Sequence, residues 1–393
     1  MTSSAAPRIL FATIAAGGAH VSTAQAMAEA VGRLGAETRV FEPMVDYGFS
    51  GLDLRHKAGW RRMLARPASI VWGQRLADAI PRVTVQAHRW MLDGFARVAA
   101  ERLAAETADL VVVNHGWLTI ALTRAQRLYG LETPVLTYET STMNANALWA
   151  DPDLERCVTA SRLNAVGLAR LGVPADRIDV VGYPVREAFL HAITKQRARQ
   201  RLGLDEHAFT VLVTFGSEGI GSTADRVLGA VRTLGPEVQP LVVTGRNADL
   251  AAALKSAHGD LPRLRIDGFV PELGEHMAAA DVVVTKTGPA TVYEALAVGR
   301  PILAPERFGM AENRMSDMLA RHGLGGPATT ATELADRLAG YRDDPGTLAA
   351  AEAKAAAFDF RGMAERLGRY LEVYARTRKV ASDTLDRGLP WSA

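Results

Sequence analysis

Residues 268–305 read GFVPELGEHMAAADVVVTKTGPATVYEALAVGRPILAP, and this stretch decides the fold. The run DVVVTK is apolar without alternation, which is typical of a strand buried on both faces of a parallel sheet. A turn leads into TVYEALAVG, with Pro289 at the expected helix start and Gly299 at its end. A second apolar run, RPILAP, follows at once. The stretch therefore predicts one βαβ unit.

The same alternation runs through the rest of the chain. Short Val, Leu and Ile runs such as RILFATI (8–14), DLVVVNHG (109–116) and TVLVTFGS (210–217) are separated by Ala-rich helical stretches. We therefore expect an α/β protein with two Rossmann-like, doubly wound parallel-sheet domains that face each other across a cleft.

A polar helical segment marks the boundary between these domains. The first series of strands ends near Val185, and AITKQRARQRLGLDEH precedes the next series, which begins at Phe209. We predict four segments: an N-terminal domain (1–185), a linker (186–207), a C-terminal domain (208–375) and a tail (376–393) that crosses back to the N-terminal domain.

Length and composition exclude several classes of protein. A chain of 393 residues exceeds one ordinary core, and 48% apolar with 22% charged residues is ordinary for a globular protein. No apolar stretch reaches the roughly 18 to 20 residues of a membrane span, and the N-terminus lacks a signal-peptide pattern. The single cysteine, Cys157, precludes an intrachain disulfide and indicates a reducing cytoplasm. A net charge of only +2 gives no indication of a nucleic-acid partner.

One segment departs from this even charge. Residues 54–90 contain eight Lys or Arg against one acid, Asp78, and Trp60, Trp72 and Trp90 are interleaved. One interpretation is a solvated basic face with the Trp side chains in the core. The other is a contact with an anionic membrane surface, where cationic side chains meet headgroups and Trp lies at the boundary. Nucleic-acid binding is a weaker third interpretation because no recognition module is visible.

A glycine-rich turn follows a strand in the second half of the chain. VTFGSEGIGS, residues 213–222, has glycines at 216, 219 and 221, which would let backbone N–H groups approach a phosphate. It is not a Walker A loop because the Gly-Lys-Ser/Thr ending is missing, and its spacing differs from G-x-G-x-x-G. A turn that only needs positive φ is the alternative.

The pattern GF…M…AD-V-TK-GP-T-EAL–G-PI in residues 268–302 resembles a known enzyme family. This is the monogalactosyldiacylglycerol synthase and processive diacylglycerol glucosyltransferase family, which is related to the lipid II N-acetylglucosaminyltransferase and has the GT-B fold. Four further segments resemble the same family, in order along the chain: GGAH (17–20), WADPDLERCVTAS (149–161), VVGYPVREAFL (180–190) and VLVTFGSEGIG (211–221).

The resemblance implies a UDP-sugar transferase that inverts the anomeric centre without a bound metal or other cofactor. The glycine turn and the helix start after DVVVTK would hold the diphosphate, the backbone of Phe269 and Val270 would hold the uracil, and Glu294 the ribose. Solvation of Lys286 at a strand end, and helix-dipole complementation by Glu294, are the alternatives. The implied donor-binding residues are Gly216, Ser217, Glu218, Gly219, Gly221, Phe269, Val270, Lys286, Thr287, Gly288, Pro289, Ala290, Thr291, Glu294, Glu312 and Asn313.

The sequence departs from the family at two places. Relatives carry a Gln-Glu or Asp-Gln pair that hydrogen-bonds the sugar hydroxyls, but Met310 and Ala311 occupy that position here, and Glu312 is displaced. A galactose preference therefore does not carry over, because methionine cannot replace an amide. On the acceptor side, Asn146 and Asp151 stand where histidines are usual, so the acceptor region has diverged.

An inverting transfer needs a base that takes the proton of the acceptor hydroxyl. His20 follows a glycine turn at a strand end, histidine titrates near neutrality, and the family carries its proposed base in the same loop. A helix N-terminus should lower the pKa of this histidine. Glu139 and Asp151 are rival bases or orienting groups, and packing is the alternative for His20. The implied acceptor-site residues are Gly17, Gly18, His115, Asn146 and Trp149, with loop packing as the alternative for His115.

We therefore expect an inverting, metal-independent hexosyltransferase with a lipid-like acceptor such as diacylglycerol or a glycolipid. Its location would be the cytoplasm or the inner face of the membrane. Transfer to a soluble secondary metabolite is the alternative that the changed acceptor motif favours. A UDP-sugar epimerase shares the fold but would need several acid/base groups around C2, and a non-catalytic binding protein is the last alternative.

Overall fold

The computed structural model describes residues 5–64, 67–191, 193–214, 216, 223–307, 309–385 and 389. The chain divides into two compact units, which are described separately. Unit 1 comprises residues 1–186, 309–311 and 360–393, and unit 2 comprises 187–308 and 312–359.

The described residues form parallel strands that are connected by helices. The strands are β1 (Arg8–Ala12), β2 (Glu37–Phe41), β3 (Leu110–Val113), β4 (Val135–Glu139), β5 (Arg156–Thr159), β6 (Ile178–Val180), β7 (Phe209–Thr214), β8 (Val238–Val243), β9 (Arg265–Asp267), β10 (Val282–Thr285), β11 (Ile302–Ala304) and β12 (Gly325–Pro327). The helices are α1 (Gly18–Gly32), α2 (Pro43–Asp46), α3 (Ser50–Leu64), α4 (Pro67–Ala79), α5 (Pro81–Met91), α6 (Asp93–Ala105), α7 (Gly116–Tyr129), α8 (Arg162–Arg170), α9 (Glu187–Leu190), α10 (Lys195–Leu202), α11 (Ala224–Arg232), α12 (Ala248–His258), α13 (Leu273–Ala279), α14 (Pro289–Ala297), α15 (Met310–Arg321), α16 (Ala331–Asp343), α17 (Pro345–Ala356) and α18 (Phe360–Thr377).

Unit 1 is built on an all-parallel sheet in the order β2-β1-β3-β4-β5-β6. Successive strand residues pack on opposite faces. Phe11 and Val112 lie under α1 and α18, whereas Leu10 and Val111 lie under α6 and α7. The strand order reverses between β1 and β3. In this fold class, ligands bind at the carboxyl ends of the strands beside such a reversal.

Helix α18 packs closely on α1. A Cβ on Gly368 would lie 2.7 Å from the main-chain oxygen of Ala30, so a side chain here would force the helices apart. The hydroxyl of Tyr370 donates to Asp179 in the edge strand β6 at 2.6 Å, which fastens α18 to the sheet. Residues 360–375, expected in the C-terminal domain, thus pack in unit 1.

Unit 2 repeats the arrangement with an all-parallel sheet in the order β12-β11-β10-β7-β8-β9. Helices α11 and α16 cover one face, against a core that includes Val211, Val213, Val282 and Val284. Here the strand order reverses between β7 and β10. The predicted linker forms α9 and α10, which lie in this unit.

An ion network lies at the amino-terminal ends of the unit 2 strands, which we call the amino edge of the sheet. Asp281, just before β10, accepts from Lys195 Nζ at 2.6 Å, from Arg199 Nη2 at 2.6 Å and from the amide of Thr210 at 2.7 Å. Lys195 also pairs with Glu352 at 2.9 Å. These bonds tie α10 to β7, β10 and α17 at the edge opposite the ligand-binding end.

Helices α3, α4 and α5 expose apolar side chains beside basic ones. Trp72 and Trp90 are 72% and 76% exposed, so the interpretation that placed them in the core is wrong. Other exposed apolar residues are Leu54, Leu76, Val83 and Met91 of these helices and Ile80 between α4 and α5. Within the described ranges, no helix combines the length and the apolar character that crossing a bilayer requires.

Candidate active site

His20 lies in the first turn of α1, beside the carboxyl end of β1. Gly17 has φ +89° where the chain turns from strand to helix, a conformation that favours glycine, and Gly18 begins α1. His20 Nδ1 is 2.7 Å from the main-chain oxygen of Asn114. Because a carbonyl oxygen only accepts, Nδ1 carries the proton. Nε2 therefore holds the lone pair that a base needs.

The surroundings of His20 keep its ring neutral. Asn114 Nδ2 donates to the main-chain oxygen of His20 at 2.6 Å, so the two residues hold each other by two bonds. Burial lowers the pKa of His20 to about 4, and the bond to Asn114 opposes this only in part. The direction is the expected one, but its main cause is burial rather than the helix N-terminus. The imidazole is thus uncharged at neutral pH.

His115 follows β3 and is fixed by two bonds. Its Nδ1 accepts from the amide of Trp117 at 3.2 Å, so Nε2 carries the proton and donates to Nε2 of His56 at 3.2 Å. The ring packs edge-on against His20 with 4.9 Å between centroids. Because both nitrogens are occupied, His115 caps α7 and supports His20, which agrees with the loop-packing alternative.

A short 3₁₀ helix brings Trp149 near His20, with 6.3 Å between ring centroids. Asn146 caps this helix by accepting from one of its amides at 3.1 Å. Asp78 of α4 accepts from the amide of Ala147 at 2.7 Å. Asn146 therefore shapes the segment that carries Trp149.

Glu139, at the end of β4, is fully buried. Its carboxylate accepts from the amide of Ser141 at 2.9 Å, from Thr159 Oγ1 at 3.0 Å and from Asn164 Nδ2 at 2.6 Å. Burial raises the pKa of Glu139 to about 7 against the effect of these donors. In the described part of the chain no hydrogen bond joins Glu139 to His20. These contacts brace β4, β5 and α8, which favours a structural role over that of a base.

Asp151 is buried and already engaged. Arg89 of α5 donates to it from Nε at 3.1 Å and from Nη2 at 2.5 Å, and also binds Asp153 at 2.6 Å. Burial raises the pKa of Asp151, and the guanidinium opposes this rise. The carboxylate thus anchors α5 through Arg89.

In unit 2, two predicted diphosphate residues meet at the reversal between β7 and β10. Gly216 has φ +74°. A Cβ there would lie 3.6 Å from Lys286 Cε and 4.0 Å from Nζ, so the lysine side chain lies against the turn after β7. This places a positive charge at the carboxyl edge of the sheet. Ser217, Glu218, Gly219 and Gly221 lie outside the described residues.

The N-terminus of α14 opens at the same edge. Gly288 precedes the helix and Pro289 begins it, which leaves the first N–H groups without intrahelical partners. Ala290 and Glu294 are buried, whereas Thr291 is half-buried. A helix start of this kind suits an anionic ligand.

The backbone of Glu312 is hydrogen-bonded to Thr287, one of the residues predicted to bind the diphosphate. Thr287 Oγ1 donates to the main-chain oxygen of Glu312 at 2.7 Å. Burial raises the pKa of the Glu312 carboxyl, and the charge of Lys286 opposes this rise. Asn313 is the next residue of α15 and is half-buried.

The predicted uracil segment follows β9. Phe269 is 49% exposed, which is unusual for so large an apolar side chain, and the guanidinium of Arg246 lies 4.4 Å over its ring. Val270 is half-buried. Arg246 follows β8, so these side chains stand at neighbouring strand ends.

Three residues of these sites escaped the sequence prediction. Asn114 and Arg246 each follow a strand, a position that could have marked them. His56 carries no local signal, because its contact with His115 joins α3 to a loop 59 residues away. Among the residues described, no group of three or more His, Cys, Asp or Glu is arranged to hold a metal ion.

The fold and the comparison with known protein families both indicate a glycosyltransferase. Residues 210–325 match the glycosyltransferase family 28 C-terminal domain. The two parallel sheets agree with a GT-B fold of two Rossmann-like domains. A structure of UDP-GlcNAc 2-epimerase from Neisseria meningitidis bound to UDP-GlcNAc has this fold too, with a TM-score of 0.59 at 12% identity over 93% of this chain and 98% of that one.

Curated relatives confirm the resemblance found in the sequence. The chain is 31% identical over 265 residues to the chloroplastic monogalactosyldiacylglycerol synthase of Spinacia oleracea, covering 65% of this chain and 51% of that protein. It is 25% identical to the processive diacylglycerol beta-glucosyltransferase of Staphylococcus epidermidis, covering 72% and 68%. The chain thus spans about half the length of the plant relatives it matches.

Proposed function

We propose that this protein transfers a hexose from a UDP-sugar to a hydroxyl of a lipid-like acceptor, with inversion and without a metal ion. The observation that carries the proposal is the neutral His20, whose Nδ1–H is bound to a carbonyl and whose Nε2 is left to accept a proton. A base of this kind stands in a chain whose other unit contains a family 28 domain.

Unit 2 supplies the donor site in this proposal. Gly216, Lys286 and the start of α14 bind the diphosphate, because backbone N–H groups and a lysine ammonium favour negative charge. The backbone at Phe269 and Val270 binds the uracil, and Glu294 binds the ribose. These cationic and dipolar groups would stabilise the negative charge of the leaving group, which is the role that a metal ion has in other enzymes.

The chemistry follows from this division of roles. The acceptor oxygen attacks C1 of the sugar while its proton passes to His20 Nε2. The bond between C1 and the phosphate oxygen breaks, and its electron pair leaves with UDP. Attack from the side opposite the leaving group inverts C1.

The sugar is a hexose whose identity the family does not fix. Met310 and Ala311 stand where relatives place their sugar-binding pair, while Glu312 lies nearby with a raised pKa. A protonated or ionised Glu312 would bind sugar hydroxyls in a different pattern from an amide.

The acceptor side of the proposal rests on helices α3 to α5. Their exposed Leu54, Trp72, Leu76, Val83 and Trp90 lie among exposed arginines at 55, 61, 62, 75 and 82. Indole rings at a headgroup boundary with cations around them suit an anionic membrane surface. The protein would thus act peripherally, where a lipid acceptor is found.

Sedimentation with vesicles tests this surface. We expect binding to vesicles with anionic lipid and little binding to neutral ones, and weaker binding of the Trp72→Ser/Trp90→Ser variant. The matched control is Trp149→Phe, because Trp149 is buried. Equal binding of anionic and neutral vesicles would remove the membrane part of the proposal.

A panel of UDP-sugars tests the activity itself. UDP release is followed with each sugar, with and without diacylglycerol or a lipid extract. Release that depends on lipid supports the proposal.

A soluble acceptor is the second candidate, and one observation favours it. Asn146 and Asp151 replace the histidines usual in relatives and serve structural roles here, so the acceptor site is rebuilt. Release that requires a soluble metabolite instead of lipid would support this candidate. Isomerisation of the sugar without release of UDP would support an epimerase.

A further inference from the structure

Arg226, in the first turn of α11, has an incomplete set of hydrogen bonds. Its Nη2 donates to the main-chain oxygen of Pro305. Its Nε is buried and has no hydrogen-bond partner among the described residues. A buried donor without an acceptor costs free energy comparable to a lost hydrogen bond. Such a group calls for an acceptor atom that the described residues do not supply.

The charge of Arg226 is also uncompensated in the described ranges, where it forms no ion pair. Its neighbours differ in this respect. Arg232, on the same helix, pairs with Asp260 at 2.8 Å, and Arg307 pairs with Asp317 at 2.8 Å. Arg226 therefore combines a fixed guanidinium, an open N–H and a full positive charge, which is the set that a phosphate oxygen accepts.

Its position points to one part of the donor. Pro305 directly follows β11, and β11 pairs with β10. The carboxyl end of β10 continues into Lys286 and the start of α14, and the chain beyond Pro305 continues towards Glu312. The guanidinium thus lies beside the carboxyl end of β11, next to the strand that leads into Lys286 and the start of α14.

We infer that Arg226 is a catalytic residue that binds the β-phosphate of the donor, the phosphate attached to the sugar. The inference rests on the proposed function and extends it to a residue that the family resemblance does not supply. When the bond from C1 to the β-phosphate oxygen breaks, that oxygen gains negative charge. A guanidinium held by Pro305 stabilises this charge without having to reorganise. No proton moves to or from Arg226, because an arginine guanidinium serves as a hydrogen-bond donor and not as an acid or base.

Comparison of UDP with UMP isolates this contact, since UMP lacks the β-phosphate. Dissociation constants for both nucleotides are measured by calorimetry on the full chain, alongside turnover of the UDP-hexose. The variants are Arg226→Ala and Arg226→Lys, and Arg232→Ala is the matched control on the same helix. Thermal unfolding checks that each variant is folded, and Arg226→Gln replaces any variant that is not.

We expect Arg226→Ala to weaken UDP binding about tenfold and UMP binding less than about twofold. Turnover should fall more than UDP affinity, because the charge on the leaving oxygen is largest in the transition state. Arg226→Lys should be intermediate, and Arg232→Ala unchanged. An equal loss for UDP and UMP, or no loss for either, would overturn the inference. Wild-type protein that binds UDP and transfers sugar would leave the proposed function standing in that case, whereas a wild type that does neither would remove both.

Discussion

The carboxyl edges of the two sheets have the same topology and opposite chemistry. In unit 1 the reversal between β1 and β3 carries neutral imidazoles, with His20 bound to a carbonyl and its pKa lowered to about 4 by burial. In unit 2 the reversal between β7 and β10 carries Lys286 against Gly216 and an open helix N-terminus. One edge is suited to accept a proton and the other to stabilise an anion. In the proposed reaction, the same backbone geometry would serve both halves of the displacement, and the side chains would decide which half each site performs.

Loss of His20 should give the largest effect and break the first half of the comparison. We expect His20→Ala to reduce kcat by at least about a hundredfold, because a positioned base contributes about 10²–10⁴ in rate. UDP affinity should stay near the wild-type value, since the proposed UDP site lies in unit 2. Steady-state kinetics and calorimetry measure the two quantities. The exposed His207→Ala serves as control, and near-normal turnover of His20→Ala would rule out its role as base.

At the amino edge of the unit 2 sheet, substitutions should lower the stability of the fold. At the carboxyl edge, they should weaken the proposed binding of UDP. Asp281→Ala removes the carboxylate from Arg199 and leaves Lys195 with Glu352 alone, so we expect a loss of about 3–5 kcal/mol in the free energy of unfolding. Asp260→Ala removes an exposed pair with Arg232 and should cost under about 1 kcal/mol. Denaturant unfolding with hydrogen exchange in unit 2 measures both. Equal costs for the two variants would show that the network is not what holds this edge.

Glu139 sharpens the comparison from within unit 1, because it is a buried carboxyl whose hydrogen bonds go to Ser141, Thr159 and Asn164. Its folded pKa of about 7 lies above the ordinary 4.5, so the folded state holds the extra proton between these values. Its contribution to stability is therefore present below about pH 4.5 and is lost as pH rises to about 7. Relative to Glu139→Gln, the wild type should lose roughly 3 kcal/mol across this window, as 1.36 kcal/mol per unit implies. Parallel pH dependence of the two proteins would contradict the raised pKa.

Lys286 should give the smallest effect and tests the cationic half. Lys286→Gln keeps a polar side chain that is one atom shorter and removes its charge, so we expect UDP to bind about tenfold more weakly. Lys255→Gln, on the exposed side of α12, is the control. An unchanged dissociation constant for UDP in Lys286→Gln would assign the diphosphate to backbone groups alone.

Strands and helix starts could be predicted from the sequence where a local pattern of residues is enough to determine the structure. Apolar runs such as DVVVTK predicted buried parallel strands, and Pro289 marked a helix start that the structure has. The strand β12 escaped because Gly325–Pro327 has no apolar side chains, and a Cβ on Gly325 would meet the backbone of Ile302. Its identity as a strand depends on pairing with β11.

The candidate site could also be predicted only where it depends on local sequence and not on contacts between distant residues. His20 and Lys286 were predictable because each follows a strand. The roles of Glu139 and Asp151 were not, because only the fold reveals that donors far along the chain occupy both carboxylates. The contact of His56 with His115, and the open N–H of Arg226, likewise arise from long-range packing.

The configuration of the product at C1 tests the central claim most directly. The wild type is supplied with the UDP-hexose that the panel selects, labelled with ¹³C at C1, together with its acceptor, and the reaction is followed by NMR. We predict one inverted glycoside for each UDP released. A glycoside with retained configuration, or a sugar isomerised at C2 while still attached to UDP, would contradict the account.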